Sequence, residues 1–240
     1  MLLADAIDLQ NPLFWAIIVG WILSVVLHEF AHGFVAYLGG DYTIRERGGL
    51  TLNPIKYIDP FMSLILPAVF LLLGGIPLPG GATYIRRDLL RSKEWQSLVS
   101  LAGPAMNLLL FVVCILPLHP KLGWADYSVP VTSWSNLQIF LGATAVLQLM
   151  AVILNLVPVP PLDGFGVLSP FMKEDLRRQV TTPPLSTILF ITYFVILWMT
   201  NFPETATGQA FDFLTGWLRF DDESSSRILE CFNIALFGHN

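Results

Sequence analysis

Residues 12–40 read PLFWAIIVGWILSVVLHEFAHGFVAYLGG, a run in which Glu29 is the one charged side chain. An α-helix needs about 20 predominantly apolar residues to cross the hydrocarbon core of a bilayer, so this run is long enough to span a membrane. It also carries two histidines, His28 and His32, in its second half. Ionisable groups are costly at membrane depth and tend to mark function there. The run therefore predicts a membrane-spanning helix with a functional site built into it.

The composition of the whole chain indicates a membrane protein. Of its 240 residues 54% are hydrophobic and 13% are charged, and the mean hydropathy is +0.63, whereas a soluble domain carries about 25% charged residues. Too few polar side chains remain to cover a water-soluble surface. The formal net charge of -5 argues against nucleic acid as a partner, because phosphate binding needs clustered Lys and Arg.

The apolar runs predict an all-α polytopic membrane protein with about four transmembrane helices. The predicted spans are residues 12–38, 97–118, 136–157 and 185–202. A shorter fifth run, 60–76, contains Pro67, Gly74 and Gly75 and either crosses the bilayer or is re-entrant.

The distribution of Lys and Arg favours the re-entrant alternative for residues 60–76. Basic residues cluster on both sides of that run, in the segments 39–59 and 77–96, and loops rich in Lys and Arg stay in the cytoplasm. If the run is re-entrant, both segments are cytoplasmic and the N-terminus lies outside. His28 and His32 then fall in the cytoplasmic half of their helix.

Less regular stretches leave alternatives open. Residues 43–53 alternate around a glycine pair, which is typical of a small membrane-associated β-hairpin, although a polar loop with a glycine turn explains them equally well. Charges interrupt the apolar runs near the C-terminus, so residues 203–240 are predicted to form an interfacial or extracytoplasmic tail. Without a repeat or a linker, residues 1–240 are expected to form one membrane-embedded domain with its core at about 12–202.

Residues 28–32, HEFAH, have the spacing of a metal-binding helix. Residues four apart lie on one face of a helix, about 6 Å apart along its axis, so His28 and His32 can reach one ion. Glu29 can act as general base on water at the metal without being a ligand, which is the His-Glu-x-x-His arrangement of zinc enzymes. A single helical histidine is usually a packed core residue, but the pair with a glutamate at membrane depth favours a metal site.

Asp163 is the best candidate for the third protein ligand that a catalytic zinc usually has. It lies in NLVPVPPLDGFG, residues 155–166, after a predicted span that ends at the cytoplasmic level of the histidines. The prolines end the helix, and non-helical backbone at that depth is tolerated where it lines a wet cavity. His119 and His239 are predicted on the opposite side of the membrane. Taken alone, Asp163 would more simply mark an Asp-Gly turn.

Three motifs together resemble the site-2 protease family of intramembrane zinc metalloproteases. They are HEFAHG (28–33), LAGPAMN (101–107), similar to the family's A-G-P-x-x-N motif, and NLVPVPPLDG (155–164), similar to its N-x-x-P-x-P-P-x-D-G signature. TLNPIKYIDP (51–60) also resembles a segment of the small prokaryotic members. The resemblance covers most of the chain and includes no regulatory domain of the PDZ or CBS kind.

The resemblance implies a zinc endopeptidase with one zinc ion per chain. His28, His32 and Asp163 would bind the ion, and Glu29 would be the catalytic base. The family also implies that Asn155 holds the substrate backbone or the developing oxyanion. A hydrogen bond to a neighbouring helix is an equally good explanation for that amide.

Further expectations follow from the family. Substrates would be membrane-spanning proteins such as anti-sigma factors, tethered transcription regulators or signal-peptide remnants, cleaved at the cytoplasmic side of a prokaryotic inner membrane. Asn107 is expected to pack helices together with small neighbours that allow close approach. The chain departs from the family at IPLPGGATYI (76–85), where many small members carry a G-W-A-K-P-V-like stretch, so substrate contacts are not carried over to it.

Two other functional classes remain open from the residues alone. A catalytically inactive zinc-binding scaffold would need no general base, so the intact Glu29 argues against it. An ion- or proton-coupled transporter could use His28, Glu29 and Asp163 as a path, but the sequence shows no inverted repeat.

Overall fold

The computed structural model describes residues 10–65, 67–68, 80–200 and 202–238, and these residues form helices and connecting turns without a strand. The α-helices, labelled in chain order, are α1 (Pro12–Gly39), α2 (Thr43–Glu46), α3 (Lys93–Ile115), α4 (Asn136–Asn155), α5 (Asp163–Leu168), α6 (Glu174–Thr181), α7 (Leu185–Met199), α8 (Phe202–Trp217) and α9 (Asp222–Phe237). Short 3₁₀ turns lie at Pro54–Tyr57, Arg87–Leu89, Leu116–Leu118, Pro120–Leu122, Val131–Ser133 and Ser169–Phe171. The prediction of an all-α fold is confirmed.

Among the described residues, three helical segments are long and apolar enough to cross a membrane, namely Pro12–Gly39, Lys93–Leu118 and Asn136–Asn155. A fourth candidate is the bent pair Glu174–Thr181 and Leu185–Leu197, in which the two helices meet at 65°. These segments coincide with the four predicted spans. The fourth differs from a continuous span, because α7 is long enough to cross a membrane only when it is counted together with α6, from which it is separated by the bend.

The chain supplies caps at both ends of α1. The side-chain oxygen of Asn11 accepts a hydrogen bond from the backbone N–H of Leu13 at 3.0 Å, and Pro12 occupies the first helical position, where its missing N–H costs nothing. At the other end Gly40 has a φ of 121°, which side chains with a Cβ rarely adopt. The boundaries of this 28-residue helix are therefore set locally.

The helix α3 contacts both α1 and α4. The core they share includes Ile17 of α1, Phe111 and Ile115 of α3, and Leu147 of α4, each no more than 1% exposed. Lipid tails are as apolar as these side chains, so close packing rather than transfer out of water stabilises the contact. For the site, the consequence is that α3 faces α1 along the segment that carries the histidines.

The predicted tail, residues 203–240, is not peripheral in its described part. Ile228 and Cys231 of α9 are fully buried in the same core as α1, α3 and α4. The side chain of Asn11 donates a hydrogen bond to the carbonyl of Ile234 at 3.1 Å, which connects α9 to the start of α1. Part of α9 therefore packs in the hydrophobic core, because one of its faces is apolar although charges interrupt its sequence. That residues 203–240 form an interfacial or extracytoplasmic tail stays a prediction.

Residues 43–53 do not form the β-hairpin that was one of the two alternatives for them. The helix α2 occupies the first four of these residues, and turns follow it. The buried carboxylate of Asp41 accepts hydrogen bonds from Thr43 Oγ1 at 2.5 Å and from Arg47 at 2.9 Å. Such local side-chain bonds compete with strand pairing. The polar loop with a glycine turn is the correct alternative.

The fifth apolar run is described only in part. Its first residues, Pro60–Ile65, form a π-helical turn, and residues 67–68 are helical, whereas 66 and 69–76 lie outside the described residues. Whether this run crosses the bilayer or is re-entrant stays a prediction. The orientation of the chain, which depends on it, also stays a prediction.

Candidate metal centre

The helix α1 presents His28 and His32 to α3, and α3 binds the Nδ1 atom of each ring. His28 Nδ1 lies 2.9 Å from Oδ1 of Asn107, and His32 Nδ1 lies 2.6 Å from the backbone carbonyl oxygen of Val99. A carbonyl oxygen only accepts hydrogen bonds, so each Nδ1 carries a hydrogen and donates it. Each neutral ring then keeps a free lone pair on Nε2, the form of imidazole that binds metals.

Asp163 joins the two histidines from the start of α5. Its Oδ2 lies 3.1 Å from Nε2 of His28, and its Oδ1 lies 3.2 Å from Nε2 of His32. Each carboxylate oxygen of Asp163 therefore faces the Nε2 lone pair of one histidine.

The three side chains fit a tetrahedral zinc ion. Zinc binds imidazole nitrogen and carboxylate oxygen at about 2.0–2.2 Å, so two ligand atoms of a tetrahedral ion lie about 3.3 Å apart. The two Nε2 atoms are 3.0 Å apart, and the nitrogen-to-oxygen distances of 3.1 and 3.2 Å are similar. Two lone pairs that face each other at such a distance repel unless a cation lies between them. The donor set itself therefore favours a bound metal.

Glycines provide the space that this cluster needs. A Cβ atom on Gly103 of α3 would lie 2.3 Å from Nε2 of both His28 and His32. A Cβ atom on Gly166 of α5 would lie 2.3 Å from Oγ of Ser100. Any side chain at either position would displace the cluster or separate α5 from α3. The LAGPAMN and LDGFG stretches thus allow the close approach of α1, α3 and α5 that brings the ligands together.

Glu29 lies beside the cluster. It is 7% exposed, and together with the two histidines and Asp163 it lines a cavity of about 340 Å³. The ligand atoms that converge belong to His28, His32 and Asp163, and Glu29 is not one of that group. A carboxylate next to a metal site but outside its ligand set suits a general base that exchanges protons with water. The catalytic role of Glu29 stays a prediction.

Asn155, the last residue of α4, lines the same cavity. Its Nδ2 donates a hydrogen bond to the carbonyl of Ala151 at 3.1 Å, one turn earlier in its own helix. This bond uses one of the two amide hydrogens, and it is not a bond to a neighbouring helix. The predicted contact between Asn155 and a substrate is compatible with this position and stays a prediction.

Residues 81–83, for which the sequence predicts no role, line part of the cavity wall. Thr83 Oγ1 donates a hydrogen bond to the backbone carbonyl of Glu29 at 3.2 Å. The N–H of Ala82 donates to the carbonyl of Tyr57 at 3.0 Å. The described part of the stretch in which the chain departs from the family pattern therefore lies at the site itself.

Two further residues, Asn107 and Arg87, lie at the site, and the sequence did not predict a role there for either of them. The motif analysis predicts only helix packing for Asn107, whereas its side chain binds His28. Arg87 is predicted only as one of several cytoplasmic charges, whereas it lines the cavity. A sequence signal exists for Asn107, because it lies four residues after Gly103 and hence on the same face of α3. For Arg87 the sequence carries no comparable signal.

The remaining histidines do not belong to the described cluster. His119 Nε2 binds the carbonyl of Leu218 at 3.0 Å, at the end of α8, and it is absent from the converging ligand group. His239 lies outside the described residues.

Proteins similar to this chain carry zinc metalloprotease names. "Putative zinc metalloprotease Rip2" of Mycolicibacterium smegmatis is 37% identical over 235 residues, which cover 88% of this chain and 87% of that protein. The protein of the same name from Mycobacterium tuberculosis H37Rv is 38% identical over 185 residues, covering 74% of this chain and 65% of the relative. "Putative zinc metalloprotease YwhC" of Bacillus subtilis is 31% identical over 189 residues, covering 75% and 80%. No protein-family model and no solved structure matches the chain.

The relatives and the geometry point to the same class of protein. Identity above 30% extends over most of this chain and most of its relatives, and the His28, His32 and Asp163 cluster fits the zinc that the names of those relatives imply. The histidines of the cluster lie on α1 and contact α3, and both helices are long enough to cross a membrane. The chain is therefore a membrane protein that belongs to the site-2 protease family, a zinc metalloprotease.

Proposed function

We propose that this metalloprotease cleaves peptide bonds within the transmembrane segments of membrane proteins. The observation that carries the proposal is the depth of the cluster in a candidate span. His28 and His32 lie about three and two turns before α1 ends at Gly39, which corresponds to about 17 and 10 Å along the helix axis. A peptide bond that reaches the cluster there lies at membrane depth.

Three side chains would hold the zinc ion, namely His28, His32 and Asp163. When bound, zinc acts as a Lewis acid that polarises a carbonyl and makes water more acidic. Asn107 and the carbonyl of Val99 hold the rings by Nδ1. Partners of this kind orient the ligands and raise their basicity.

Glu29 would carry the proton transfers. Its carboxylate accepts a proton from water while the water oxygen forms a bond to the scissile carbonyl carbon. The same proton passes to the amide nitrogen as the carbon–nitrogen bond breaks, so that the amine leaves as a neutral group. Asn155, on the wall of the same cavity, would hold the substrate backbone or the oxygen on which negative charge develops.

The substrate must unwind locally before it can be cut, because the carbonyls of a transmembrane helix are bonded within the helix. Segments with helix-weakening residues near the cut are therefore the preferred substrates. In line with the family resemblance, we propose single-span proteins such as anti-sigma factors, tethered transcription regulators or signal-peptide remnants. The site would face the cytoplasmic side of a prokaryotic inner membrane, where the basic loops are expected.

The catalytic part of the proposal is tested with Glu29→Gln, which keeps the size of the side chain and removes the base. Cleavage of a single-span reporter in liposomes should fall by about 10²- to 10⁴-fold, the usual contribution of general base catalysis. Glu46→Gln, which changes an exposed glutamate of α2, is the matched control and should cleave normally. Undiminished cleavage by Glu29→Gln would remove Glu29 from the mechanism.

The intramembrane part is tested by presenting one scissile sequence in two settings. In one reporter the sequence lies within the bilayer, and in the other it is part of a water-soluble peptide. We expect cleavage of the embedded reporter. A protein that cuts the soluble peptide and spares the embedded one would be a metalloprotease that acts outside the bilayer.

A further inference from the structure

A second and larger cavity lies next to the metal cavity. Its volume is about 830 Å³, and its walls come from the 3₁₀ turn Arg87–Leu89 and from α5, α6 and α7. Arg87, Pro161 and Leu162 line both cavities, so the two are adjacent. Arg87 and Arg177 are the cationic side chains on its walls, and we call it the arginine cleft.

The Arg87 guanidinium lies close to the metal cluster. Its Nη2 donates a hydrogen bond to Oγ of Ser100 at 3.3 Å and lies 3.1 Å from the place that a Cβ of Gly166 would occupy. Gly166 follows Asp163 by three residues, which is roughly 4.5 Å of rise in a helix. Arg87 therefore contacts α5 about one helical turn after Asp163, and both residues line the metal cavity.

Arg87 forms no ion pair within the described part of the chain, and another cation lies near it. The pKa of Arg87 is lowered, mainly because the surrounding protein displaces water from the guanidinium. Asp163 acts in the opposite direction, and the like charge of Arg177 adds to the lowering. Because both arginines line the same cleft, both would attract an anion that enters it.

Two acids near the cleft already form ion pairs with arginines. Glu174 pairs with Arg177 but also accepts a hydrogen bond from Arg178, so one carboxylate serves two guanidinium groups. Asp88, which lines the cleft, is paired with Arg86 at 2.7 Å. Positive charge is therefore left over on the wall that faces the cavity.

We propose that Arg87 and Arg177 form an anion subsite that binds an acidic side chain of the substrate polypeptide near the scissile bond. This inference rests on the proposed cleavage of polypeptides at the metal cluster. Because the cleft adjoins the metal cavity, the acidic residue would lie within a few residues of the cut in an extended chain. Arginine binds carboxylates through two parallel hydrogen bonds, which gives the subsite a preference for Asp and Glu over amides and Lys.

A peptide suits the arginine cleft better than a lipid headgroup or a free phosphate does. Pro161, Leu162 and Phe165 contribute apolar surface to the walls of the cleft. Such walls accommodate the side chains of an extended polypeptide, whereas a phosphate needs polar contacts on several sides. The residues shared by both cavities also place the anion on the path of a chain that crosses the metal site.

The test is a binding measurement on Glu29→Gln protein, which is expected to hold a substrate without cutting it. Each fluorescent transmembrane peptide carries Asp, Asn or Lys at a single test position, and a series of peptides places this test position at successive points along the sequence. The affinity of the protein for each peptide is measured in phosphatidylcholine vesicles. At the best position the Asp peptide should bind about 10- to 100-fold more tightly than the Asn peptide, as expected for hydrogen bonds to a charged group.

Substitutions in the same background assign the preference to the two arginines. Arg87→Gln and Arg177→Gln should each reduce the preference for the Asp peptide over the Asn peptide. Arg87→Glu should change the preference to the Lys peptide. Arg91→Gln is the matched control for Arg87, because Arg91 instead lies over the Trp95 ring. Arg178→Gln is the control for Arg177. Zinc content, measured for each protein, shows that the metal cluster is intact.

Equal affinity for the Asp and Asn peptides at every position would overturn the proposal, as would a preference that survives in the Arg87→Gln, Arg177→Gln double variant. Binding to phosphatidylglycerol vesicles that depends on Arg87, without discrimination between peptides, would identify a headgroup site and overturn it too. Cleavage by the wild-type protein is followed in parallel. A protein that prefers the Asp peptide through Arg87 but cuts no embedded peptide would retain the subsite and reject the proposed function.

Discussion

Asn107 Oδ1 lies 2.9 Å from Nδ1 of His28, so a helix that supplies no ligand determines which ring nitrogen faces Asp163. The same helix acts on His32 through the backbone carbonyl of Val99. A backbone carbonyl cannot be removed by substitution, whereas the side chain of Asn107 can. Asn107 is therefore the position at which this arrangement can be tested.

Replacing Asn107 by Leu removes the acceptor and keeps a similar volume. We expect zinc affinity to fall by about 10- to 100-fold, the usual cost of losing a partner that orients a metal ligand. Competition with a chromogenic chelator measures this affinity. Asn107→Asp keeps an acceptor and should retain most of it, and Asn136→Ala, at the exposed start of α4, is the control. An unchanged affinity in Asn107→Leu would show that His28 is oriented without this contact.

Gly103→Ala should abolish zinc binding while the helices remain folded. The added Cβ would lie 2.3 Å from both Nε2 atoms of the histidine pair, in the space that the ion needs. Metal content and circular dichroism distinguish loss of the site from loss of the fold. Gly208→Ala is the matched control, because a Cβ at Gly208 meets nothing within 4 Å. Full zinc occupancy in Gly103→Ala would place the ion elsewhere.

Zinc removal should lower both activity and stability. A ligand that binds only the folded state stabilises it by about 2.7 kcal/mol at a concentration of 100 times its Kd, so chelation should lower the unfolding temperature and added zinc should restore it. Asp163→Ala should show neither the zinc-dependent shift nor metal at stoichiometric level. Asp212→Ala changes an exposed acid of α8 and should behave as wild type. If Asp163→Ala kept full zinc occupancy, Asp163 would not be a ligand.

Acid should destabilise the protein through Asp41, whose side chain is fully buried. Burial raises the pKa of this carboxyl. Hydrogen bonds from Thr43, from the backbone N–H of Arg86 and from Arg47 act in the opposite direction, as does the positive charge of Arg47. Together they outweigh burial and lower the pKa of Asp41 below its ordinary value. A lowered folded-state pKa contributes stability that is fully present above the unfolded-state pKa of about 3.9 and is lost as the pH falls through the folded-state pKa.

The comparison of wild type with Asp41→Asn tests this expectation. At pH 7 the variant should be less stable by about 1.5–3 kcal/mol, the contribution of hydrogen bonds to a charged group. The difference should narrow as the pH falls below about 4. Unfolding midpoints in detergent from pH 7 to pH 3 measure it, and Asp175→Asn, at an exposed acid of α6, provides the baseline. A difference that stays constant with pH would assign the effect to shape rather than charge.

The parts of the fold that could be predicted from the sequence are those that depend on local patterns. Long apolar runs gave the spans, and the four-residue spacing of His28 and His32 placed both on one helix face. The proximity of Asp163 required a further inference about where a distant span ends, and the structure brings the three side chains together. The sequence also predicted the enzyme class through its motifs, and the relatives remove support from the scaffold and transporter alternatives.

Other features depend on contacts that a linear pattern does not show. The buried face of α9 is formed by residues at helical spacing, including Ile228, Cys231 and Ala235, but intervening charges lower the local hydropathy. The turn after α1 depends on the bonds that Asp41 makes. Asn107 could not be distinguished from a helix-packing residue, because the amide serves either purpose. Membrane orientation follows from charge alone and stays a prediction.

The metal cluster is divided among segments that are synthesised at very different times. A ribosome releases His28 and His32 early, then the orienting helix α3, and Asp163 only after most of the chain has been made. The helix α1 is therefore made with two of the three side chains of the cluster, before α3 can hold their Nδ1 atoms and before Asp163 exists. A nascent chain that ends before α5 lacks the carboxylate, so the proposed catalytic centre is complete only after α5 has been made.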